Sequence, residues 1–198
     1  MMQVSVIILA AGNASRMGKA KQLLPYKGTT LLGHAIEIAE ASLANSTHCV
    51  VGAHSEAILK ETTHPEVIFI ANSNWASGLS TSIVAAVRHI VSAKDGTQAL
   101  LITLADQPKI SSTYLNTMIQ LHEKHPETII ASDYAESLGV PALFPKNYWN
   151  ALLQLKGDKD AKEFLNAHKA QAIAMNAVEF LFDIDTPEDY QQLIHPEL

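Results

Sequence analysis

A short apolar run near the start of the chain limits the possible folds more than any other feature. Residues 4–9 read Val-Ser-Val-Ile-Ile-Leu, are rich in β-branched side chains and lead directly into a turn that contains glycine. Because apolar and polar residues do not alternate in this run, it predicts a strand that is buried on both faces. Such strands are typical of parallel sheets whose two faces are covered by helices.

The rest of the chain continues with alternating strands and helices. Further strands are predicted at 47–52, 67–71, 98–104, 128–132, 139–144 and 178–184, and helices at 31–43, 55–61, 80–92, 111–124, 146–155 and 158–168. This pattern predicts an α/β fold with a parallel sheet that becomes mixed in its last part. No repeat, linker or shift in composition interrupts the 198 residues, so we expect a single domain over residues 1–198.

Composition and charge disfavour several classes of protein. The net charge is −6, whereas a general nucleic-acid binder needs a basic face, so no nucleic-acid partner is expected. No apolar run approaches the roughly 18 residues of a membrane span and no signal-peptide pattern is present, so the expected location is the cytoplasm. The nine histidines lack zinc-site spacing, and G-x-S-x-G is absent, which disfavours a zinc enzyme and a serine hydrolase. The single cysteine, Cys49, is expected to be buried and inert.

The loop after the first predicted strand combines glycines with cations. Gly12 and Gly18 let main-chain N–H groups approach a ligand, and Arg16, Lys19 and Lys21 add positive charge. The loop matches neither the G-x-G-x-x-G fingerprint nor the Walker P-loop, because five residues separate the two glycines and an alanine replaces the P-loop hydroxyl. These residues favour a phosphate or nucleotide site, with a loop of merely solvated cations as the alternative.

An acid follows the buried run at 99–104. Asp106 stands at the carboxyl end of that predicted strand, where loops after different strands of a parallel sheet converge on one crevice. A magnesium ion needs only one or two carboxylates when phosphate oxygens complete its shell. A turn-forming cap before Pro108 is the alternative, and the residues alone leave both roles open.

The segment 182–189 contains four more acids near a predicted helix start. Thr186 and Pro187 fit the N-cap and first helical position, so the two acids that follow them are expected to be structural. Asp183 and Asp185 precede the cap on alternate sides of an extended segment, so only one of them faces the crevice without a kink. We expect that one to be Asp185.

The loop resembles the signature of the nucleotidyltransferases related to the molybdenum cofactor guanylyl- and cytidylyltransferases. Their pattern reads L-A-[AG]-G, a variable stretch, R-M-G, two residues and K, and this chain matches it at 9–12, 16–18 and 21. The family's [GA]-D-Q-P and D-I-[DN]-T-P motifs match at 105–108 and 183–187, and the resemblance extends over residues 6–190. It implies a three-layer Rossmann-like nucleotidyltransferase fold with a mostly parallel, mixed sheet.

The resemblance also implies roles for individual residues. Catalytic roles are expected for Arg16, Lys21 and Asp106, with Mg²⁺ on Asp106 and Asp185. The implied nucleotide-binding residues are Leu9, Ala10, Ala11, Gly12, Arg16, Gly18, Lys21, Asn74, Gly78, Ser80 and Ser82, and those of the acceptor side are Gly139, Pro141, Gly157, Asp158 and Lys162. Trp75 fits a place beside the base or in the core equally well. Val140 and Asp160 depart from the family pattern, so the acceptor is less well defined than the nucleotide.

The sequence L-A-A-G at 9–12, in place of L-A-G-G, resembles the cytidylyltransferase version of the loop, because the methyl group of Ala11 is expected to change the space near the base. This implies CTP and molybdopterin as substrates, with transient contact to a molybdoenzyme or its chaperone. Transfer to a sugar or polyol phosphate, a non-catalytic cofactor carrier and a reductase on the same fold are the alternatives. Intact Arg16, Lys21, Asp106 and Asp185 disfavour the carrier.

Overall fold

The chain forms a seven-stranded sheet between two layers of helices in a computed structural model that describes residues 2–135, 137–157, 161–180 and 182–195. The strands are β1 (Val4–Ala10), β2 (Pro25–Tyr26), β3 (Thr29–Thr30), β4 (Ser46–Val51), β5 (Ile68–Ala71), β6 (Ala99–Leu104), β7 (Ile129–Asp133), β8 (Leu138–Pro145) and β9 (Ala172–Asn176). The helices are α1 (Leu31–Glu40), α2 (Ser55–Glu61), α3 (Leu79–Ala93), α4 (Ser112–Lys124), α5 (Trp149–Leu152), α6 (Ala161–Ala167) and α7 (Pro187–Ile194).

The strand order of the sheet is β5-β4-β1-β6-β8-β7-β9, and β2 and β3 form a separate small hairpin. β5, β4, β1 and β6 are mutually parallel, whereas β8 runs antiparallel to both of its neighbours. The chain leaves β1 towards β4 and returns on the other side of β1 at β6. The loops after β1 and β6 therefore diverge and open a crevice at the carboxyl edge, which is the usual ligand position in open α/β sheets.

Alternate side chains of β1 enter two separate cores. Val6 and Ile8 are fully buried in a cluster with α1 and α4, and Ile7 is fully buried in a cluster with α3. Burial of each such side chain stabilises the fold by about 1.5–3 kcal/mol, so β1 is firmly held between the two layers. Cys49 is buried beside it on β4, and burial raises the pKa of its thiol to about 12. The mostly parallel, mixed α/β sheet predicted from the sequence is confirmed.

The predicted strand at 178–184 is wrong. The last strand of the described residues is β9, which precedes that segment; a 3-10 turn follows at Val178–Phe180, and 182–185 has no regular structure. The apolar residues of the segment pack on different elements, since the Phe180 ring meets the Tyr114 ring at 5.0 Å while Ile184 joins a small cluster with Met17 and Leu24. Their alternation therefore reflects separate contacts and not a strand.

Two other expectations change in the last third of the chain. The predicted helix at 146–155 is a 3-10 turn at Lys146–Tyr148 followed by the single turn of α5. The helix expected at 158–168 corresponds to α6 at Ala161–Ala167, and residues 158–160 of the expected helix lie outside the described ranges. None of the helices in the described part of the chain combines the length and apolar character that a membrane crossing requires.

Candidate functional site

A crevice of about 280 Å³ opens at the carboxyl ends of β1 and β6, where the topology predicts one. It brings together eight of the residues expected from the sequence: Leu9, Ala10, Ala11, Gly12, Arg16, Lys21, Asp106 and Asp185. Ala14, Ser15, Gln22, Leu79, Leu104 and Ala105 complete the lining. The two basic and two acidic side chains come from three separate parts of the chain.

The glycine-containing loop leaves room beside the crevice. A Cβ added at Gly12 would have no atom within 4 Å, so the main chain is open to a ligand at that position. The left-handed backbone conformation occurs at Ala14 (φ 51°) and Gly18 (φ 66°), on either side of a 3-10 turn at Ser15–Met17. Gly12 itself does not adopt a left-handed φ, so its contribution is open space.

Lys21 is the centre of the polar network in the crevice. Its Nζ donates to Asp106 Oδ2 at 2.5 Å, to Asp185 Oδ1 at 3.0 Å and to the Ile184 carbonyl at 2.9 Å. Burial opposes the charge of Lys21, but the carboxylates of Asp106 and Asp185 outweigh that effect and raise its pKa. Arg16 lies at the exposed rim, where its guanidinium reaches Asp185 Oδ2 at 3.2 Å.

The two acids fit a divalent cation. They converge on one point, because oxygens of both carboxylates bond to the same Lys21 nitrogen. Asp106 Oδ1 is buried and has no hydrogen-bond partner among the described residues, so it retains an unused acceptor. No described group of three or more His, Cys, Asp or Glu side chains could hold a metal, so oxygens of a bound substrate would have to complete the shell.

The alternative role of Asp106 as a turn cap is not what the described contacts show. Its side chain bonds to Lys21 and to no backbone N–H group in the described ranges. Its carbonyl accepts from the Ile184 N–H at 3.1 Å, which ties the segment at 182–185 to the end of β6. The carboxylate is thereby left to the crevice.

Asp183 and Asp185 separate as expected from an extended segment. Asp185 lines the crevice, whereas Asp183 turns away and accepts from Gln107 Nε2 at 3.0 Å. Burial raises the pKa of Asp183. Downstream, Thr186 and Asp189 form a capping box at the start of α7, so Asp189 is structural.

Several residues expected to contact the nucleotide do not line the crevice. The Ser80 hydroxyl is buried and donates to the Gly157 carbonyl at 2.5 Å, and Ser82 is buried and accepts from Asn72 Nδ2 at 3.0 Å. Gly78 is the N-cap residue of α3, and the Asn74 N–H donates to Asn72 Oδ1 at 2.9 Å. Gly18 lies beyond the rim as the C-cap of its 3-10 turn. Trp75 packs against the core cluster below α3.

The acceptor-side residues lie along β8 and the loop before α6. A Cβ on Gly139 would meet the Tyr134 ring at 3.0 Å, so the aromatic ring lies against this glycine. The Pro141 carbonyl accepts from Ser132 Oγ at 2.7 Å, and the Val140–Pro141 peptide is cis. Gly157 receives the Ser80 bond, Lys162 lies on α6, and Asp158 is outside the described residues.

Beyond the unpredicted lining residues given above, sequence reasoning missed the two residues that hold the glycine-containing loop, Gln22 and Gly52. Gln22 is 3% exposed, and its Nε2 bonds to carbonyls of the loop at 2.9 Å. Gly52, after β4, lies so close to Ala11 that an added Cβ would come within 2.9 Å of its methyl group. The only available signal was indirect: Gln22 stands beside a singled-out lysine, and Gly52 ends a buried strand.

Curated relatives match most of the chain but differ in their activities. The purine catabolism protein PucB of Bacillus subtilis is 29% identical, and the match covers 94% of each chain. The molybdenum cofactor cytidylyltransferase of Escherichia coli is 25% identical over 96% of this chain and 95% of that protein. The nicotine blue oxidoreductase of Paenarthrobacter nicotinovorans is 29% identical over 73% of this chain and 68% of that protein.

The fold and the sequence together place the chain in one family. The crystal structure of Rv0371c from Mycobacterium tuberculosis superposes with a TM-score of 0.81 at 22% identity, covering 98% of both chains. The family model of the MobA-like NTP transferase domain matches residues 6–172, which include most of β1, the loop with Lys21 and the strand β6 that precedes Asp106. The chain belongs to the MobA-like NTP transferase family and is a nucleotidyltransferase.

Proposed function

We propose that this nucleotidyltransferase transfers the cytidylyl group of CTP to the terminal phosphate of molybdopterin and releases pyrophosphate. The observation that carries the proposal is the arrangement of Lys21, Arg16, Asp106 and Asp185 around one crevice at the switch point of the sheet. The L-A-A-G sequence of the loop and the similarity to a relative named as a cytidylyltransferase support the choice of nucleotide and acceptor.

The donor site is built for a triphosphate. Lys21 lies at the floor of the crevice and Arg16 at its rim, so the two cations can contact different phosphate groups of one extended chain. Gly12 leaves the main chain open between them. Both cations are engaged by carboxylates in this structure, so binding a triphosphate exchanges these ion pairs for contacts with phosphate oxygens.

The reaction needs no nucleophile from the protein. A phosphate oxygen of the acceptor attacks the α-phosphorus of CTP, a new P–O bond forms, and the bond between the α-phosphorus and its bridging oxygen breaks to release pyrophosphate. Catalysis then consists of in-line positioning and neutralisation of the charge that develops on the phosphoryl oxygens. Lys21 and Arg16 supply that charge, and Lys21 acts from a largely buried position, since its side chain is 14% exposed.

Asp106 and Asp185 would hold Mg²⁺ together with phosphate oxygens of the substrate. When bound, the ion supplies Lewis-acid neutralisation of phosphoryl charge. Asp106 Oδ1, which has no partner among the described residues, and the convergence of both carboxylates support this assignment. Asp183 is bonded to Gln107 and has no part in it.

The acceptor is placed on the side of β8 and α6. Ser80, at the start of α3, donates to the Gly157 carbonyl, so Gly157 is joined to a helix whose first residue, Leu79, lines the crevice. Pro141 and Gly139 lie on β8, which pairs with β6 in an antiparallel register that matches Ala142 with Ile102, so they lie on the side of that pair towards the carboxyl end of β6. A cytoplasmic location and transient transfer of the product to a molybdoenzyme or its chaperone belong to the same proposal.

The methyl group of Ala11 acts on the base through packing. Ala11 is 5% exposed, and its Cβ faces Gly52 and the core below the loop. A methyl in that place sets the height of the loop main chain above β4, and so the depth of the space left for a base. Selectivity for the smaller pyrimidine is the expected result.

Pyrophosphate release by the purified protein tests the proposal. The protein is incubated with Mg²⁺ and CTP, GTP, ATP or UTP, each with molybdopterin, with a sugar or polyol phosphate, or with no acceptor. NADPH binding without metal serves as the control for a reductase. Release that requires both CTP and molybdopterin supports the proposal. Dependence on another triphosphate overturns the base assignment, release with a sugar or polyol phosphate overturns the acceptor, and metal-independent NADPH binding without release favours the reductase.

A further inference from the structure

Gln22 has a buried side-chain amide that bonds to the glycine-containing loop after β1, residues 11–18, which is called the nucleotide loop from here on. Its Nε2 donates to the carbonyls of Ala10 and Gly12, both at 2.9 Å, and 3% of the residue is exposed. These are the carbonyls on either side of Ala11, at the point where β1 ends and the loop begins. Its Oε1 is buried and has no partner among the described residues. Nothing in the phosphate chemistry proposed above uses this side chain.

The two bonds fix which side of the loop carries its donors. In a trans peptide the C=O of one residue and the N–H of the next point in opposite directions. When Gln22 holds the Ala10 and Gly12 carbonyls on its own side, the N–H groups of Ala11 and Asn13 point to the other side. Ala11 and Gly12 line the crevice and Asn13 follows them, so we expect these N–H groups to be available where phosphate would lie. Gln22 lines the same crevice, but its Nε2 is taken up by the two carbonyls.

The orientation of the amide is settled by its partners. Both contacts are with carbonyl oxygens, which accept and cannot donate, so the nitrogen of the amide must face them. Replacing this nitrogen by an oxygen would place three acceptors together in a buried position. The chain thus needs a donor here and not simply a side chain of this size.

Gln22 is also rigidly joined to Lys21. Both belong to a 3-10 turn at Lys21–Leu23, whose Leu23 N–H bonds to the Ala20 carbonyl at 3.1 Å. One short turn therefore contacts the two acids through Lys21 and the loop main chain through Gln22. Its position sets the distance between the loop donors and the metal-binding carboxylates.

We propose that Gln22 is a positioning residue for the triphosphate: it orients the main chain of the loop so that its N–H groups face the nucleotide, and it does not touch the nucleotide itself. The inference rests on the proposed function of the crevice. A residue that only stabilises the fold is the competing explanation. A positioning role predicts that the loss of Gln22 weakens nucleotide binding by the folded protein. A purely stabilising role predicts that the folded protein binds nucleotide with unchanged affinity.

Two substitutions with the same size separate these explanations. Gln22→Met removes both donors and keeps the volume, and Gln22→Glu puts a carboxylate against the two carbonyls. Asn45→Leu is the matched control, because it removes an amide contact with the opposite end of β1, where Asn45 Oδ1 accepts from the Val4 N–H at 2.9 Å. Nucleotide dissociation constants, KM and kcat for the triphosphate, and thermal midpoints are measured for each variant.

We expect Gln22→Met to weaken triphosphate binding and raise KM about tenfold, with kcat within twofold, because each lost hydrogen bond contributes roughly 1 kcal/mol. Asn45→Leu should lower the thermal midpoint and leave KM unchanged. Gln22→Glu should bind poorly at pH 8 and recover towards wild type as the pH falls, since a protonated carboxyl donates one bond. The other charged side chains that face the crevice are the same in both variants: Arg16, Lys21, Asp106 and Asp185. The ratio of the two variants' dissociation constants at each pH therefore reports the ionisation of residue 22 alone.

An unchanged KM in Gln22→Met, with wild-type protein that binds triphosphate, overturns the positioning role. Nucleotide affinities of Gln22→Glu and Gln22→Met that change in parallel with pH also overturn the positioning role, because a hydrogen bond donated by residue 22 to the loop carbonyls would then not affect binding. Wild-type protein that binds no nucleotide in the crevice overturns the proposed function instead. The two failures are therefore distinguishable.

Discussion

At the scale of single residues, Lys21 determines the electrostatic state of the crevice. It contacts Asp106, Asp185 and the Ile184 carbonyl together, so one ammonium group occupies the position on which both carboxylates converge. A divalent cation bound to the same two carboxylates needs the ammonium to move. The natural destination of that ammonium is the phosphate chain of the donor, so metal and nucleotide are expected to enter together.

This competition predicts that removing Lys21 strengthens metal binding by the nucleotide-free protein. In Lys21→Met, both carboxylates lose their internal cation, and we expect the affinity for Mn²⁺ to rise tenfold or more. Free Mn²⁺ is measured by electron paramagnetic resonance in a titration without nucleotide. The double variant Lys21→Met/Asp106→Asn should not show the higher Mn²⁺ affinity. Equal Mn²⁺ affinity in the wild type and Lys21→Met would contradict a competition between the Lys21 ammonium and the metal.

The two assigned roles of aspartate predict opposite phenotypes. Asp106→Asn should lower turnover about a hundredfold or more and leave the thermal midpoint nearly unchanged, because the carboxylate serves the crevice and not a cap. Asp189→Ala should lower stability by about 1 kcal/mol and leave turnover intact, because its carboxylate accepts from the Asp185 and Thr186 N–H groups. A large loss of stability in Asp106→Asn would assign that residue to the fold.

The meeting of the charged residues at one crevice was predictable from the sequence, whereas the contacts of Ser80 and Ser82 were not. The residues alone left a cap or a solvated loop as alternatives, and it was the match to the family motifs at 9–21, 105–108 and 183–187 that singled out Lys21, Asp106 and Asp185. Two serines at the start of a helix can bond locally, to a neighbouring loop or to a ligand. Only the packing of α3 shows that Ser80 reaches Gly157 and that Ser82 reaches Asn72.

At the scale of elements, the nucleotide loop rests directly on the end of β4. The Ala53 N–H donates to the Ala11 carbonyl at 3.1 Å, and a Cβ on Gly52 would approach the Trp75 Cβ to 2.7 Å and the Ala11 carbonyl to 2.8 Å. Glycine at position 52 therefore allows the loop to lie close to the sheet. Trp75 supports the loop from below, which accounts for its place in the core.

This contact predicts a defect in Gly52→Ala. The added methyl must displace the Ala11 carbonyl or Trp75, with a cost of about 1–3 kcal/mol in stability, and the displaced loop should bind triphosphate several-fold more weakly. Ala71→Val, at the exposed carboxyl end of β5, is the control and should leave binding unchanged. Thermal unfolding and nucleotide titration check both effects, and wild-type affinity in Gly52→Ala would show that the loop adapts.

The order of elements was predictable up to β8, apart from the short hairpin of β2 and β3, because buried strands and amphipathic helices alternate there with clear periods. It failed at 178–184, where each apolar residue serves a different partner: Phe180 packs on Tyr114, and Ile184 on Met17 and Leu24. The edge strand β9 is half-exposed and has no strong alternation. Long-range contacts of this kind leave no local period to detect.

At the scale of the whole molecule, the sheet has a functional edge and a buried polar edge at opposite ends of its strands. Near the amino ends, Ser5 bonds to Ser46 at 2.8 Å and to Thr97 at 3.0 Å, and Ser46 bonds to His48 Nε2 at 3.1 Å. His48 is fully buried, and its Nδ1 has no partner among the described residues. Burial, with His89 nearby and Asp95 opposing, lowers the pKa of His48 to about 4.

The buried histidine predicts a loss of stability in mild acid. The unfolded chain takes up a proton on His48 near pH 6.5 and the folded chain only near pH 4, so the free energy of unfolding falls as the pH drops through this window. We expect His48→Gln to reduce that fall by roughly 2 kcal/mol. Urea unfolding of the wild type and of His48→Gln from pH 7.5 to 4.5 measures the difference in the free energy of unfolding. Burial also lowers the pKa of His122, but this residue contributes equally to the wild type and the variant. Parallel curves would exclude His48 as the source.

The contacts that close the crevice also determine at which stage of protein synthesis the crevice is complete. Lys21 and Asp185 are 164 positions apart, and the Ile184 N–H reaches the Asp106 carbonyl only after the chain has returned from β9. During translation, the glycine loop and the first acid emerge from the ribosome long before the second. A nascent chain therefore lacks one side of the crevice throughout most of its synthesis, and the crevice is complete only when the segment at 182–187 docks.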